Sequence, residues 1–276
     1  MTDWSLFVET YLHIAAIVLY ALAAAAIVFG AIMDNSWLRK AGGLLVLVGL
    51  ALHTAALGFR WYGTGHGPYL TRYEVMSSNA WMTIVVFQLL SWRRKSARVL
   101  APIVYPVVLF LLAIGVYTGA EVKTLPPTFA GIWLMLHIGF YFVAFSAALL
   151  SLSFSAMYVG YDVPFVRGLP NLPDRETLDR ESYRFAGLTF AFWGIGMLAG
   201  SIWAYYSWGR YWGWDPVETW SLITWFVYGI YLHMRRFFGL KGSRAALLLL
   251  VGFTLAVGSL FFTSLLTNSL HAEYFK

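Results

Sequence analysis

The chain has no cysteine in its 276 residues, so disulfides, thiol redox chemistry and thiolate metal ligands cannot originate within it. Charge is scarce too: charged residues make up 12% of the chain and hydrophobic residues 60%. An ordinary soluble domain carries about a quarter charged residues, so this composition excludes one and reads as an integral membrane protein. The period-two alternation of a membrane barrel is missing, whereas the apolar runs are long enough to cross a hydrocarbon core of about 30 Å as helices. The fold class is therefore all-α. Before the first run, which begins at about Tyr11, stand Asp3 and Glu9 but no basic segment or small-residue cleavage site, so that run is expected to remain as a helix. With no internal repeat or low-complexity tract, residues 1–276 read as a single polytopic membrane domain.

Apolar stretches at about 11–33, 42–59, 78–92, 99–118, 131–157, 187–206, 217–234 and 245–265 predict about eight transmembrane helices. Lys and Arg divide unevenly between the two sets of connectors this implies. One set carries Arg39, Lys40, Arg93, Arg94, Lys95, Arg98, Arg167, Arg175, Arg180, Arg184, Arg235, Arg236, Lys241 and Arg244. The other carries only Arg60, Arg72, Lys123, Arg210 and Lys276. Positive charge collects on the cytoplasmic side, which puts both termini on the outer face. The same bias explains the net charge of +6 without a nucleic-acid partner; the lipid bilayer is the expected surrounding. A polar connector at about 158–186, with Pro164, Pro170 and Pro173, falls on the cytoplasmic side and has room for a short surface helix.

The richest local signal is the octet Trp208-Gly209-Arg210-Tyr211-Trp212-Gly213-Trp214-Asp215, in an outward loop at about 207–218. Three indoles and a tyrosine suit a broad, flat, apolar ligand that must be stacked on and shielded from water. A porphyrin is such a ligand. Asp215-Pro216-Val217-Glu218 has the form of a helix start, with Asp as N-cap, Pro at the first position and Glu at the third. That structural role explains Asp215 and Glu218 without catalysis.

His137, just inside the outer end of the fifth stretch, and His271, beyond the outer end of the eighth, flank the level of the octet. Singly, each is explained as a core or tail histidine; together with the octet they make a candidate pair of axial ligands for haem iron. For His233, about 25 Å along the seventh stretch, two readings stay open: a transit-site ligand in the membrane, or an interfacial residue beside Arg235 and Arg236. His13, His53 and His66 are accessory candidates, with helix or loop packing as the alternative. Arg210 is the preferred partner for haem propionates, ahead of Arg60 and Arg72, with interfacial snorkelling as the competing account of each.

The octet matches the WGxxWxWD signature of haem-handling cytochrome c maturation proteins. Within that family the chain resembles the CcsA (ResC) subunit of the System II cytochrome c synthase. In the resemblance His137, in Leu134-Met135-Leu136-His137, and His271, in Ser269-Leu270-His271-Ala272, correspond to the two external haem ligands, and His233 to a membrane-embedded one. Gly65-His66-Gly67-Pro68 and Tyr73-Glu74 also look like family features. The resemblance implies a haem lyase subunit, with protohaem IX (haem b) held by His137, His271, His233, Trp208, Trp212, Trp214, Asp215 and Arg210. It implies no catalytic residue beyond those that position haem. It further implies a CcsB/ResB-type membrane partner and an apocytochrome c with a CxxCH motif. The location would be a bacterial inner or thylakoid membrane, with the octet facing the periplasm or lumen. The alternative is a CcmC-type transporter or chaperone that delivers haem without attaching it. A quinol oxidoreductase fits less well, because its haem-binding histidine pairs lie within the hydrocarbon core.

Overall fold

The computed structural model describes residues 3–129 and 131–262. The described residues form helices α1 (Asp3–Ile32), α2 (Ser36–Thr64), α3 (Arg72–Arg93), α4 (Ala101–Thr118), α5 (Ile132–Val159), α6 (Pro164–Arg167), α7 (Arg175–Trp208), α8 (Pro216–Phe238) and α9 (Gly242–Val257). Six of the membrane-length segments are long and apolar enough to cross a bilayer; α3 and α8 are the two expected stretches outside that set. The reason is their polar content: α3 carries Glu74, Asn79 and Gln88, and α8 carries Glu218, His233, Arg235 and Arg236.

Side-chain caps set several boundaries. Asn35 accepts from the backbone of Trp37 and Leu38 to start α2, and Thr71 with Glu74 forms a capping box on α3. Asp174 starts α7 by accepting from Thr177, whose side chain and backbone hold the Asp174 carboxyl below its usual range. The α7 start also corrects the polar connector: its second half, from Arg175, is helix, and the surface helix within it is the single turn of α6.

The chain packs as two compact units. Unit 1 comprises residues 1–124 and 160–173, and unit 2 comprises 125–159 and 174–276. In unit 1 a polar cluster threads α1, α2 and α3. Tyr73 Oη donates to Glu9 Oε1 at 2.5 Å and pairs with His13 Nδ1. Ser77 Oγ then bridges the two imidazoles, 3.4 Å from His13 Nε2 and 2.9 Å from His53 Nε2, and Tyr20 Oη lies 3.4 Å from His53 Nδ1. One proton order satisfies every member: Tyr20 donates to His53, His53 to Ser77, Ser77 to His13, His13 to Tyr73 and Tyr73 to Glu9. All six are buried. His13 and His53 are thus placed in helix packing within unit 1, whereas the octet belongs to unit 2.

Beside this cluster lies a buried ion pair, Arg60 Nε to Glu74 Oε1 at 2.8 Å. The guanidinium also donates to the carbonyls of Ala120 and Glu121, and Glu74 Oε2 accepts from the backbone of Leu70 and Thr71. Arg60 is therefore neither an interfacial snorkeller nor a spare donor for a propionate. His66 is likewise engaged, with Nδ1 facing the Gly67 carbonyl and Nε2 that of Lys123.

Unit 2 is built on α5 against α7, with α8 and α9 packed alongside. Trp193 of α7 is fully buried and donates through Nε1 to Ser221 of α8, which also pairs with Tyr141 of α5. Tyr228 and Tyr231 pack with Ala148, Ala186 and Leu249 in a second core cluster. Arg235 grips Asp179 with both guanidinium nitrogens, at 2.5 and 2.7 Å, tying the end of α8 to the start of α7.

Candidate functional site

The octet spans the end of α7, the loop and the cap of α8. Its C-terminal half is fixed by one carboxylate: Glu218 Oε2 accepts from the backbone N–H of both Gly213, at 2.8 Å, and Asp215, at 3.2 Å. Asp215 Oδ1 accepts from Val217 N at 2.9 Å, completing the expected capping box. Trp214, held between those two N–H groups, adopts a left-handed backbone with φ 56° and projects an indole that is 70% exposed. Trp212 packs edge-on against it, with ring centroids 5.8 Å apart. The indole N–H of Trp212 is buried and has no hydrogen-bond partner among the described residues.

Arg210 is exposed and folds over Gly213, where an added Cβ would come 2.5 Å from its guanidinium carbon. Tyr211 stacks on Tyr205 at 4.5 Å, and its carbonyl accepts from Ser201. These contacts tether the loop to the last turns of α7.

His137 reaches this end of α7 from the second turn of α5. Its Nδ1 lies 2.8 Å from the Gly196 carbonyl, an acceptor only, so Nδ1 carries the proton and the lone pair of the neutral ring sits on Nε2. The imidazole lies nearly parallel to Trp203 at 6.2 Å, and Trp203 meets Trp208 edge-on at 4.8 Å. Trp203 is itself fixed by donating to the Thr128 carbonyl. A continuous aromatic path thus joins His137 to the first residue of the octet.

Sequence reasoning missed what lets His137 sit there. Gly196 and Gly200 form a small-xxx-small pair on the α5-facing side of α7. A Cβ on Gly200 would fall 2.3 Å from His137 Nδ1, and one on Gly196 2.9 Å from the Tyr141 ring. The spacing was visible in Gly194-Ile195-Gly196-Met197-Leu198-Ala199-Gly200, but its partner was not. Gly200→Ala is expected to push the imidazole off the Gly196 carbonyl and lower haem retention severalfold, while Gly187→Ala, at a position open to added bulk, is expected to be silent. The check is haem absorbance per protein; equal loading in both variants would remove Gly200 from the site.

His233 is exposed near the cytoplasmic end expected for α8, its ring against those of Phe237 and Phe238 at 4.7 and 5.8 Å. His271 lies outside the described residues. Among the described residues no group of three or more His, Asp or Glu is arranged to hold a metal ion.

An all-helical membrane protein with a rigid, tryptophan-rich loop beside an oriented histidine is the class that fold and site define. A family model described as "Cytochrome C assembly protein" matches residues 69–271. The chain belongs to that family, among its CcsA members, and so to the proteins of cytochrome c biogenesis. It is 32% identical over 228 residues to the cytochrome c biogenesis protein CcsA of Chlamydomonas reinhardtii, a match covering 78% of this chain and 63% of that relative's length. The CcsA of Porphyra purpurea is 31% identical, with 76% of this chain and 78% of the relative covered. The CcsA of Synechocystis sp. is 29% identical, with 96% and 97% covered. Among solved structures, the cytochrome c haem lyase CcmF shares the fold with a TM-score of 0.71 at 16% identity, over all of this chain and 49% of CcmF.

Proposed function

We propose that the chain is a haem lyase subunit: it brings haem b to the outer face and presents it at the octet for attachment to the CxxCH motif of an apocytochrome c. Haem is here the substrate. The carrying observation is the orientation of His137, whose proton is committed to Gly196 and whose remaining lone pair suits iron, at the end of an aromatic path into the octet. Trp208, Trp212 and Trp214 would stack against the macrocycle, and the unpartnered N–H of Trp212 and the guanidinium of Arg210 suit the propionates. Asp215 acts through the loop, as the cap that sets its shape. His271 is the proposed second axial ligand.

Attachment adds each thiol S–H across a vinyl C=C, so no leaving group departs. Both sulfurs must come from the cytochrome, because this chain has no cysteine. The chain's own contribution is then positioning and exclusion of water. The lysine and arginine distribution supports eight spans with the octet outside, and cytoplasmic His233 as an earlier holding point for haem. Because His233 is exposed on unit 2, a haem held there would draw its second ligand from elsewhere, for which a CcsB/ResB-type subunit in the same membrane is the proposed source.

The test is co-expression of the chain, that subunit and an apocytochrome c, followed by detection of covalent haem on the cytochrome. Covalent product that disappears without this chain is the expected result. Haem-loaded chain with no thioether product would favour the delivery reading, and a purified chain that never carries haem would overturn both.

A further inference from the structure

Unit 1 contains a cavity of about 740 Å³ that the haem reading does not use. It opens at the end of the unit where α1 meets α2 and α3 meets α4, and Leu169 to Asn171 of the later connector reach it too. Its size is within the range of about 300–1,000 Å³ typical of small-molecule sites. Arg39, Lys40 and Arg98 contribute to its lining. Arg39 is tied to the Gly30 carbonyl and Asp34, but Lys40 and Arg98 are exposed and carry no ion pair among the described residues.

The rest of the cavity is of the opposite character. Leu44, Leu47 and Leu89 line it while being more than half exposed, which in a membrane helix means facing acyl chains. Trp92, also in the lining, is 76% exposed, and nearby Trp37 is 70% exposed. Exposed indoles beside unpaired cations mark the depth of lipid headgroups.

We propose that this groove holds an anionic phospholipid, with its phosphate at Lys40 and Arg98 and one acyl chain along Leu44, Leu47 and Leu89. The ligand joins the α1–α2 hairpin to the α3–α4 pair. Among the described residues no histidine or methionine lines the cavity, and these offer a tetrapyrrole iron none of its usual neutral ligands. A phosphate, in contrast, meets two uncommitted cations at the basic end, where anionic headgroups are recognised.

The test is thermal unfolding of the purified full chain in detergent with phosphatidylglycerol, with phosphatidylcholine, or with hemin. Phosphatidylglycerol is expected to raise Tm by ~4 °C or more over phosphatidylcholine, since a ligand that binds only the folded state stabilises it. Lys40→Gln/Arg98→Gln is expected to lose at least half of that difference and Lys40→Arg/Arg98→Lys to keep it. Arg180→Gln/Arg244→Gln, which removes equal charge from unit 2, is expected to keep it as well. Equal shifts with both lipids, or a shift lost equally in the unit 2 control, would overturn the proposal. So would a shift dependent on Lys40 and Arg98 that hemin gives and phosphatidylglycerol does not.

Discussion

Purified His137→Ala protein is expected to retain at least about tenfold less haem than the wild type, to lose bis-histidine absorption and to regain part of it with added imidazole. The contrast between binding and stability makes the experiment informative. In the fold the contacts of His137 include a hydrogen bond to Gly196 and ring contacts with Tyr141 and Trp203. A hydrogen bond of this kind contributes only about 1 kcal/mol net, and the Gly196 carbonyl it serves also ends a turn of α7. The haem-free variant should therefore fold and melt close to the haem-free wild type, even though it no longer holds haem. Imidazole rescue separates a missing ligand from a collapsed loop, because free imidazole restores a coordination position but not packing. Haem spectra unchanged in His137→Ala would remove this residue from the iron and, with it, the main support for the octet as the presenting surface.

Arg60→Ala is expected to cause the largest loss of stability in unit 1, about 3–5 kcal/mol, seen as a fall in Tm of roughly 10 °C in detergent. Both partners of the Arg60–Glu74 pair are almost wholly buried, at 2% and 0% side-chain exposure. Truncating the arginine leaves a carboxylate with no counter-charge and strands the carbonyls of Ala120 and Glu121, which it also serves. Arg60→Met/Glu74→Gln removes both charges yet keeps an oxygen for the backbone of Leu70 and Thr71. It should recover more than half of the loss, as replacing a buried pair costs far less than breaking it. A single variant as stable as the wild type would mean that water reaches Glu74 in solution. A double variant no better than the single would assign the loss to the stranded carbonyls.

The helices were largely legible because hydrophobic length is a local property. Predicted stretches at 42–59 and 217–234 became α2 (Ser36–Thr64) and α8 (Pro216–Phe238). Real helices overrun such stretches because capping residues, rather than the edge of apolarity, end them: Asn35 for α2, Asp215 for α8. The same local logic exposed the Asp215–Glu218 box and hid the second duty of Glu218, which is to hold Gly213. Arg60 was misread for a different reason. An arginine near the end of an apolar run is most simply interfacial, and only the return of the chain at Ala120 and Glu121, some sixty residues later, encloses it. The histidines divide along this line as well. His13 and His53 were visible as polar residues in apolar helices, but the Tyr73 and Ser77 partners that satisfy them lie on α3, far along the chain. Gly200 showed its spacing from Gly196 but not its partner, since a glycine matters there only because an imidazole from α5 comes up against it.

Trp214 has one more implication. A bulky residue in the left-handed region costs of order 1–3 kcal/mol and persists only where its surroundings over-determine it. Here the clamp of Glu218 on the two neighbouring amides does so. The backbone that carries this indole is therefore set by the chain's own contacts, and under the function proposed above that would lower the entropic penalty of capturing haem on it. On the same reading a main chain already locked in shape would also favour rapid hand-over, because the backbone would not have to relax as the cargo leaves.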